Sequence, residues 1–397
     1  MRQYKGFSIF FVLLFLAIYV VENINGRFWL SDFNVYYGAS EALLKKEPVY
    51  GLPFGLGTGF YKYSPEFLLF MAPFTAMSFK AACTLQYVLI VIALWMGLFT
   101  IRNLFRVAGL KGADASGNWF LALSVVCVIN HLVRELHLGN VNVWIVFLLC
   151  SGLHALAQQK ANLSGFLFAM TLFIKPYLIV VLLPLEMHKQ YKVIRSLVIS
   201  GAAFILLFTL FVGWDTSLAL HQQWIEAMIQ HNDYLSSRHT LSALIERYTG
   251  LAVPAVAQFV FLILMVLVYV LVFATRLSKR EKENQGTAGE YRILFYSVWI
   301  LLAFLPNILI TDTEHFLYSL PILMSLLLHV MQNSSIPRLL LFVILVFLFG
   351  GNSSDLLGTA LSERVEEAGV LGLANLGILT WTLIRAFRNT NTIAAHG

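Results

Sequence analysis

Apolar residues run in blocks too long for the core of a soluble domain. The first block is Phe7 to Val21, behind Arg2 and Lys5. Others follow at about 82–101, 118–133, 141–157, 196–213, 254–275, 292–310, 316–331, 338–350 and 368–384. A helix needs about 20 mostly apolar residues to cross a bilayer. The blocks therefore predict an all-α polytopic membrane protein. After the first block the sequence reads Glu22-Asn-Ile-Asn-Gly-Arg27, with no small-residue cleavage site. It reads as a retained span, not a signal peptide. The stretch 162–187 is apolar except for Lys175-Pro176 at its centre. Proline breaks a helix there, so this stretch either spans once or dips in and returns.

The charge pattern selects the return. With a hairpin at Lys175, the inner segments become 1–6, 102–117, 158–161, 188–195, 276–292, 332–338 and 385–397. They hold 17 of the 27 Lys and Arg but only five of the 21 acids, Glu186 at a loop edge included. The remainder holds 10 basic and 16 acidic residues. That is a strong positive-inside pattern. The outer face then carries three long polar stretches, about 23–80, 214–253 and 351–367, and function is expected there. No soluble domain or internal repeat interrupts the pattern, so residues 1–397 read as one integral-membrane domain.

Composition agrees. Hydrophobic residues make up 59% of the 397 and charged residues 12%, against about 25% charged in an ordinary soluble chain. Mean hydropathy is +0.76. The net charge of +6 follows from membrane topology and does not call for nucleic acid. Cys83, Cys127 and Cys150 lie inside apolar blocks, where a thiol behaves as a small hydrophobe.

Several polar residues stand out against this background. Asp32 opens a helix-like stretch at 33–45, as a helix cap or as a general base at the membrane surface. Phe60-Tyr-Lys-Tyr-Ser-Pro65 sets aromatics around Lys62, as interfacial anchors or sugar-stacking faces. Lys175 is a cation in an apolar setting, where a charge is snorkelling, partnered or functional. His315 ends a span beside Asp312 and Glu314, as an ion-paired interfacial histidine or a ligand. Asn140 and Asn142 read as caps or cross-links between helices. Arg238 and His239 read as a solvated face or as binding residues. His221 and His231 lack a third ligand at a familiar metal spacing, and no metal is expected.

The order of these residues resembles glycosyltransferase family 87, polyprenol-phosphate-sugar-dependent enzymes of the GT-C superfamily related to bacterial mannosyltransferases. The resemblance is carried by Asp32-Phe-x-x-Tyr36-Tyr-x-Ala, Pro48-Val-Tyr50 and Tyr61-x-Tyr63-x-Pro65. Leu138-Gly-Asn-Val-Asn142 is similar to the family's Gly-Gln-x-Asn corner, with Asn140 in the Gln place. Lys175-Pro176 resembles its buried Lys-Pro, and Arg238-His-Thr-Leu241 an Asn-Gln-Ser-Leu segment, departing at its first three positions. Thr313-Glu-His315-Phe with Pro321 resembles its Trp-x-His-x-x-x-Pro region. The resemblance implies a GT-C-like bundle of about 10–12 transmembrane helices. It implies an enzyme, multi-pass in the cytoplasmic (inner) membrane, with its active site on the outer face. A polyprenyl-phosphate-linked sugar, mannose-like or a related hexose, would pass to a glycolipid or glycan acceptor, with Asp32 as catalytic base. Lys175, His315, Lys62, Tyr36, Tyr63, Asn140, Arg238, His239 and Glu314 would line the donor and substrate site. Lys175 and His315 would meet at the donor phosphate. A lipid-monophosphate donor carries less charge than a nucleotide sugar, so neither metal nor cofactor is expected. A multispan transporter or flippase is the competing class; it would want charges along a central path and related halves.

Overall fold

The computed structural model describes residues 4–28, 30–55, 59–110, 112, 117–230, 238–254, 260, 263–275, 286–309 and 312–388. Trp29, His231, Thr311 and the basic loop Arg276–Lys282 lie outside the described residues. Described elements are helical; the one β-bridge among them pairs Pro53 with Phe60. In chain order the helices are α1 (Lys5–Ile24), α2 (Ser31–Lys45), α3 (Pro65–Met71), α4 (Phe79–Val107), α5 (Asn118–Val126), α6 (Ile129–Leu138), α7 (Asn142–Ala157) and α8 (Ala161–Ile174). Then come α9 (Leu182–Met187), α10 (Tyr191–Val212), α11 (Trp214–Gln230), α12 (Leu241–Thr249), α13 (Ile263–Thr275), α14 (Gly286–Phe304) and α15 (Leu320–Gln332). The last are α16 (Ile336–Gly350), α17 (Ser354–Leu357), α18 (Thr359–Glu367) and α19 (Val370–Arg388).

Among the described residues, five helices are long and apolar enough to cross a membrane, and seven spans result if each of two bent pairs counts as one. Five further apolar helices are shorter. The first apolar block is α1, and the expected helix at 33–45 is α2. The block at 118–133 is not one straight helix but the bent pair α5 and α6.

The chain divides into two compact units. One comprises residues 11–101 and 133–235. In it α1 packs antiparallel on α4: Phe11 meets Trp95 edge to face at 5.1 Å, and the Tyr87 hydroxyl donates to the Phe15 carbonyl at 2.7 Å. Helices α7 and α8 are antiparallel, with Gly152 against Phe168 and Asn142 beside Lys175. Helix α10 runs parallel to α8. Near their starts the Ser196 hydroxyl donates to the Asn162 carbonyl at 2.8 Å, and near the end of α8 Phe173 stacks edge-on against Phe204 at 5.3 Å. A Cβ on Gly165 would lie 2.6 Å from the Leu197 nitrogen, so the two backbones touch. Parallel neighbours joined by a short segment require that segment to run back. Residues 175–190 do so through an extended Lys175, a 3₁₀ turn at Pro176–Val181 and α9. The break falls at Lys175 because Pro176 cannot donate the hydrogen bond that would continue α8.

The other unit comprises residues 1–10, 102–132 and 236–397. Its centre is α14, α15 and α19, joined by a buried amide network. Asn375 donates to the Ala303 carbonyl at 2.8 Å and to Asn307 Oδ1 at 2.7 Å, and accepts from Ser319 at 2.6 Å. Arg385 donates to the Ser325 carbonyl at 2.6 Å.

Candidate functional site

Most of the residues singled out from the sequence collect in the first unit, around the start of α2 and the corner between α6 and α7. Leu30, just before α2, takes a left-handed conformation (φ 42°) and its N–H donates to the His137 carbonyl at 3.0 Å. Gly139 has φ +67°, and a Cβ there would sit 2.8 Å from the Phe33 Cβ. Glycine is needed for both reasons. The close approach lays the corner against the first turn of α2.

Asp32 lies in that first turn, two residues after the cap position at Leu30. It accepts from Asn140 Nδ2 at 2.6 Å. Asn140 is buried, and its Oδ1 accepts from the Val141 N–H at 2.7 Å and the Tyr36 hydroxyl at 3.2 Å. The Tyr36 and Tyr63 hydroxyls are 2.7 Å apart. Because Tyr36 spends its proton on Asn140, Tyr63 donates to Tyr36. Every donor in the chain Tyr63, Tyr36, Asn140 therefore points toward the Asp32 carboxylate, and such a chain polarises in one direction. Both phenols are held well above their ordinary pKa, chiefly by burial and further by neighbours that include Asp32. They remain neutral donors.

Two residues along the corner, Asn142 serves the cation. Lys175 is 5% exposed, and its Nζ donates to Asn142 Oδ1 at 2.6 Å. Asn142 Nδ2 in turn donates to Glu135 Oε2 at 2.9 Å. The other oxygen of Glu135 accepts from the Val143 N–H at 2.9 Å, in the first turn of α7, where a negative charge is favoured. Glu135 is fully buried. Sequence reading gave it no role; the signal was an acid in the polar corner 134–140, a few residues ahead of a helix start. One corner thus holds a carboxylate through Asn140 and an ammonium through Asn142.

Lys62 belongs to the same unit. Its carbonyl accepts from the Trp224 indole N–H at 3.2 Å, which ties the aromatic segment 60–65 to α11.

Arg238, His239, Glu314 and His315 belong to the second unit. Arg238 pairs with Glu366 at 3.4 Å on the surface. His239 is buried, and its carbonyl accepts from Asn307 at 3.1 Å. Its ring stands edge-on to Phe316. Burial, then Arg238 and Arg247, push its imidazole down to about 4, so it is neutral at pH 7. Glu314 is fully buried and His315 nearly so; His315 Nδ1 lies 3.1 Å from the Asp312 carbonyl. Among the described residues no group of three His, Cys, Asp or Glu has the geometry of a metal site.

A family model described as glycosyltransferase family 87 matches residues 60–303, more than half of the chain. The matched span takes in Lys62, Tyr63, Asn140, Lys175, Arg238 and His239; Asp32, Tyr36, Glu314 and His315 lie outside it. No curated protein and no solved structure matches the chain.

Proposed function

The chain belongs to glycosyltransferase family 87, and on that premise we propose that it transfers a hexose, mannose-like or related, from a polyprenyl-phosphate donor to a glycolipid or glycan acceptor. The reaction is an inverting single displacement at the outer face of the cytoplasmic membrane. The acceptor hydroxyl loses its proton to Asp32 as its oxygen bonds to the anomeric carbon. The bond from that carbon to the phosphate oxygen breaks, and the lipid phosphate leaves with the electron pair. A positioned carboxylate base is worth roughly 10²–10⁴-fold. The leaving phosphate must be met by cations or hydrogen-bond donors.

The observation that carries this reading is the corner at Gly139–Asn142. It holds a carboxylate and an ammonium from different helices through amides only two residues apart. A base for the acceptor and a cation for the leaving group are the two groups that the displacement requires. Lys175 in a buried setting gains from an anionic ligand, which offsets the cost of its burial. Beside it, a groove of about 540 Å³ runs between Pro176 and Trp224, Ile225, Met228 and Ile229 of α11. Its walls are apolar, as the tail of a lipid-linked donor requires.

Proteoliposomes with a labelled polyprenyl-phosphate sugar test the proposal. Donor-dependent transfer to an acceptor glycolipid is the expected result. Movement of donor or sugar across the bilayer without transfer would establish the transporter class instead.

A further inference from the structure

Helix α11 follows α10 directly after Gly213 and carries one face into the first unit. That face presents His221 and Trp224 to the segment Lys62–Glu66. Three successive carbonyls of this segment are held by side chains. Trp224 donates to that of Lys62 at 3.2 Å, Tyr50 to that of Tyr63 at 2.8 Å, and Tyr61 to that of Ser64 at 2.8 Å. The segment ends on Glu66, which is 2% exposed. Glu66 Oε1 lies 2.7 Å from His221 Nε2, and Glu66 Oε2 is buried with no hydrogen-bond partner among the described residues. His221 Nδ1 is 2.7 Å from the Ser217 carbonyl. A carbonyl can only accept, so Nδ1 carries a proton and Nε2 is the atom left for Glu66. A buried carboxylate with one partner depends on that partner heavily.

We infer that Glu66 and His221 form a positioning clasp: it fixes α11 on the Lys62–Glu66 segment and so sets Lys62 and the Tyr63 hydroxyl in the donor site. Neither clasp residue touches the Asp32 chain or Lys175 in any hydrogen bond described above. They act through what they hold. On one side is Tyr63, the first donor in the chain that ends on Asp32. On the other is the α11 wall of the groove beside Pro176. The inference rests on the reading of this site as a sugar-donor site.

Amine labelling of Lys62, read by mass spectrometry on the full-length protein in detergent, tests the clasp without activity. Donor kinetics test its consequence. His221→Ala alone leaves a buried carboxylate unpaired and risks misfolding. The double variant Glu66→Gln/His221→Ala carries no buried charge and is the informative one. In its folded fraction, labelling of Lys62 should rise several-fold. Donor KM should rise at least about tenfold, the scale of one lost hydrogen bond to a charged group, with kcat little changed. Glu66→Gln alone keeps an amide that donates to Nε2, and should stay near wild type in both readouts. A double variant with wild-type labelling and KM, or a Glu66→Gln variant as impaired as the double, would overturn the clasp. If wild-type protein shows no donor-dependent transfer, the glycosyltransferase reading fails and the labelling result alone decides the clasp.

Discussion

Asn140→Asp is the substitution that most directly tests how Asp32 is held. It changes no volume, but it replaces the donor that meets Asp32 at 2.6 Å with a second carboxylate. Asp32 is half-buried, so an effective dielectric of about 20 applies. Two charges about 4 Å apart then repel by about 4 kcal/mol, equivalent to about three units on the pH scale. Two carboxylates this close cannot both ionise near neutral pH. The acid limb of the pH–rate profile should therefore move up by about three units. At a pH below both limbs the rate should fall by up to on the order of a thousandfold, and it should recover as the buffer is made more alkaline. Asn140→Ala is the control. It removes a hydrogen bond to a charged group, worth about 1.5–3 kcal/mol, but adds no charge, so its limb should move up by only about one to two units. The assay is transfer of labelled sugar from polyprenyl phosphate in proteoliposomes across a pH series. An Asn140→Asp enzyme with the wild-type pH profile would refute a base at Asp32.

Three further outcomes are expected. Asp32→Asn should lower transfer by roughly 10²-fold or more with little change in melting temperature, since asparagine keeps the size and can cap a helix as aspartate does; near-normal turnover would dismiss it as the base. Lys175→Met should weaken donor use by about 1.5–3 kcal/mol, the worth of a charge-assisted hydrogen bond, measured as donor kcat/KM, and an unchanged value would remove Lys175 from the phosphate site. The His221 imidazole is raised above its ordinary pKa by its hydrogen bond to Glu66, against the opposing effect of burial. Its contribution to stability is therefore complete below about pH 6.5 and is lost as pH rises through the raised value. Tyr50 and Tyr61, which also face Glu66, are held well above their ordinary pKa by burial and stay neutral across that range. Melting temperature should fall over that window in wild type and stay flat in His221→Gln; parallel curves would show that the pair carries no pH-linked stability.

The spans were legible because bilayer crossing imposes a length and composition that few other structures share. The return at Lys175-Pro176 was legible for a different reason. Proline marked the break, and the basic residues at 188–195 fixed which way the chain had to go. The bend between α5 and α6 left no such mark, since no proline stands there and the apolar block reads straight through. In the site, Asp32, Tyr36, Asn140 and Lys175 could be named individually, but not how Asn140 and Asn142 divide the work between them. That division depends on the left-handed Gly139, whose geometry is a tertiary fact. Glu135 and the Glu66–His221 pair went unread because their partners lie in other helices. A buried acid looks in sequence like any solvated one.

The shortness of α8 bears on how a headgroup meets this protein. Fourteen residues of helix rise about 21 Å at 1.5 Å each, whereas the hydrocarbon layer is about 30 Å thick. On the hairpin topology argued from the charge pattern, α8 stops short of the far boundary and ends on Lys175. An anionic headgroup that meets this ammonium would sink below its own plane, shedding water as it descends.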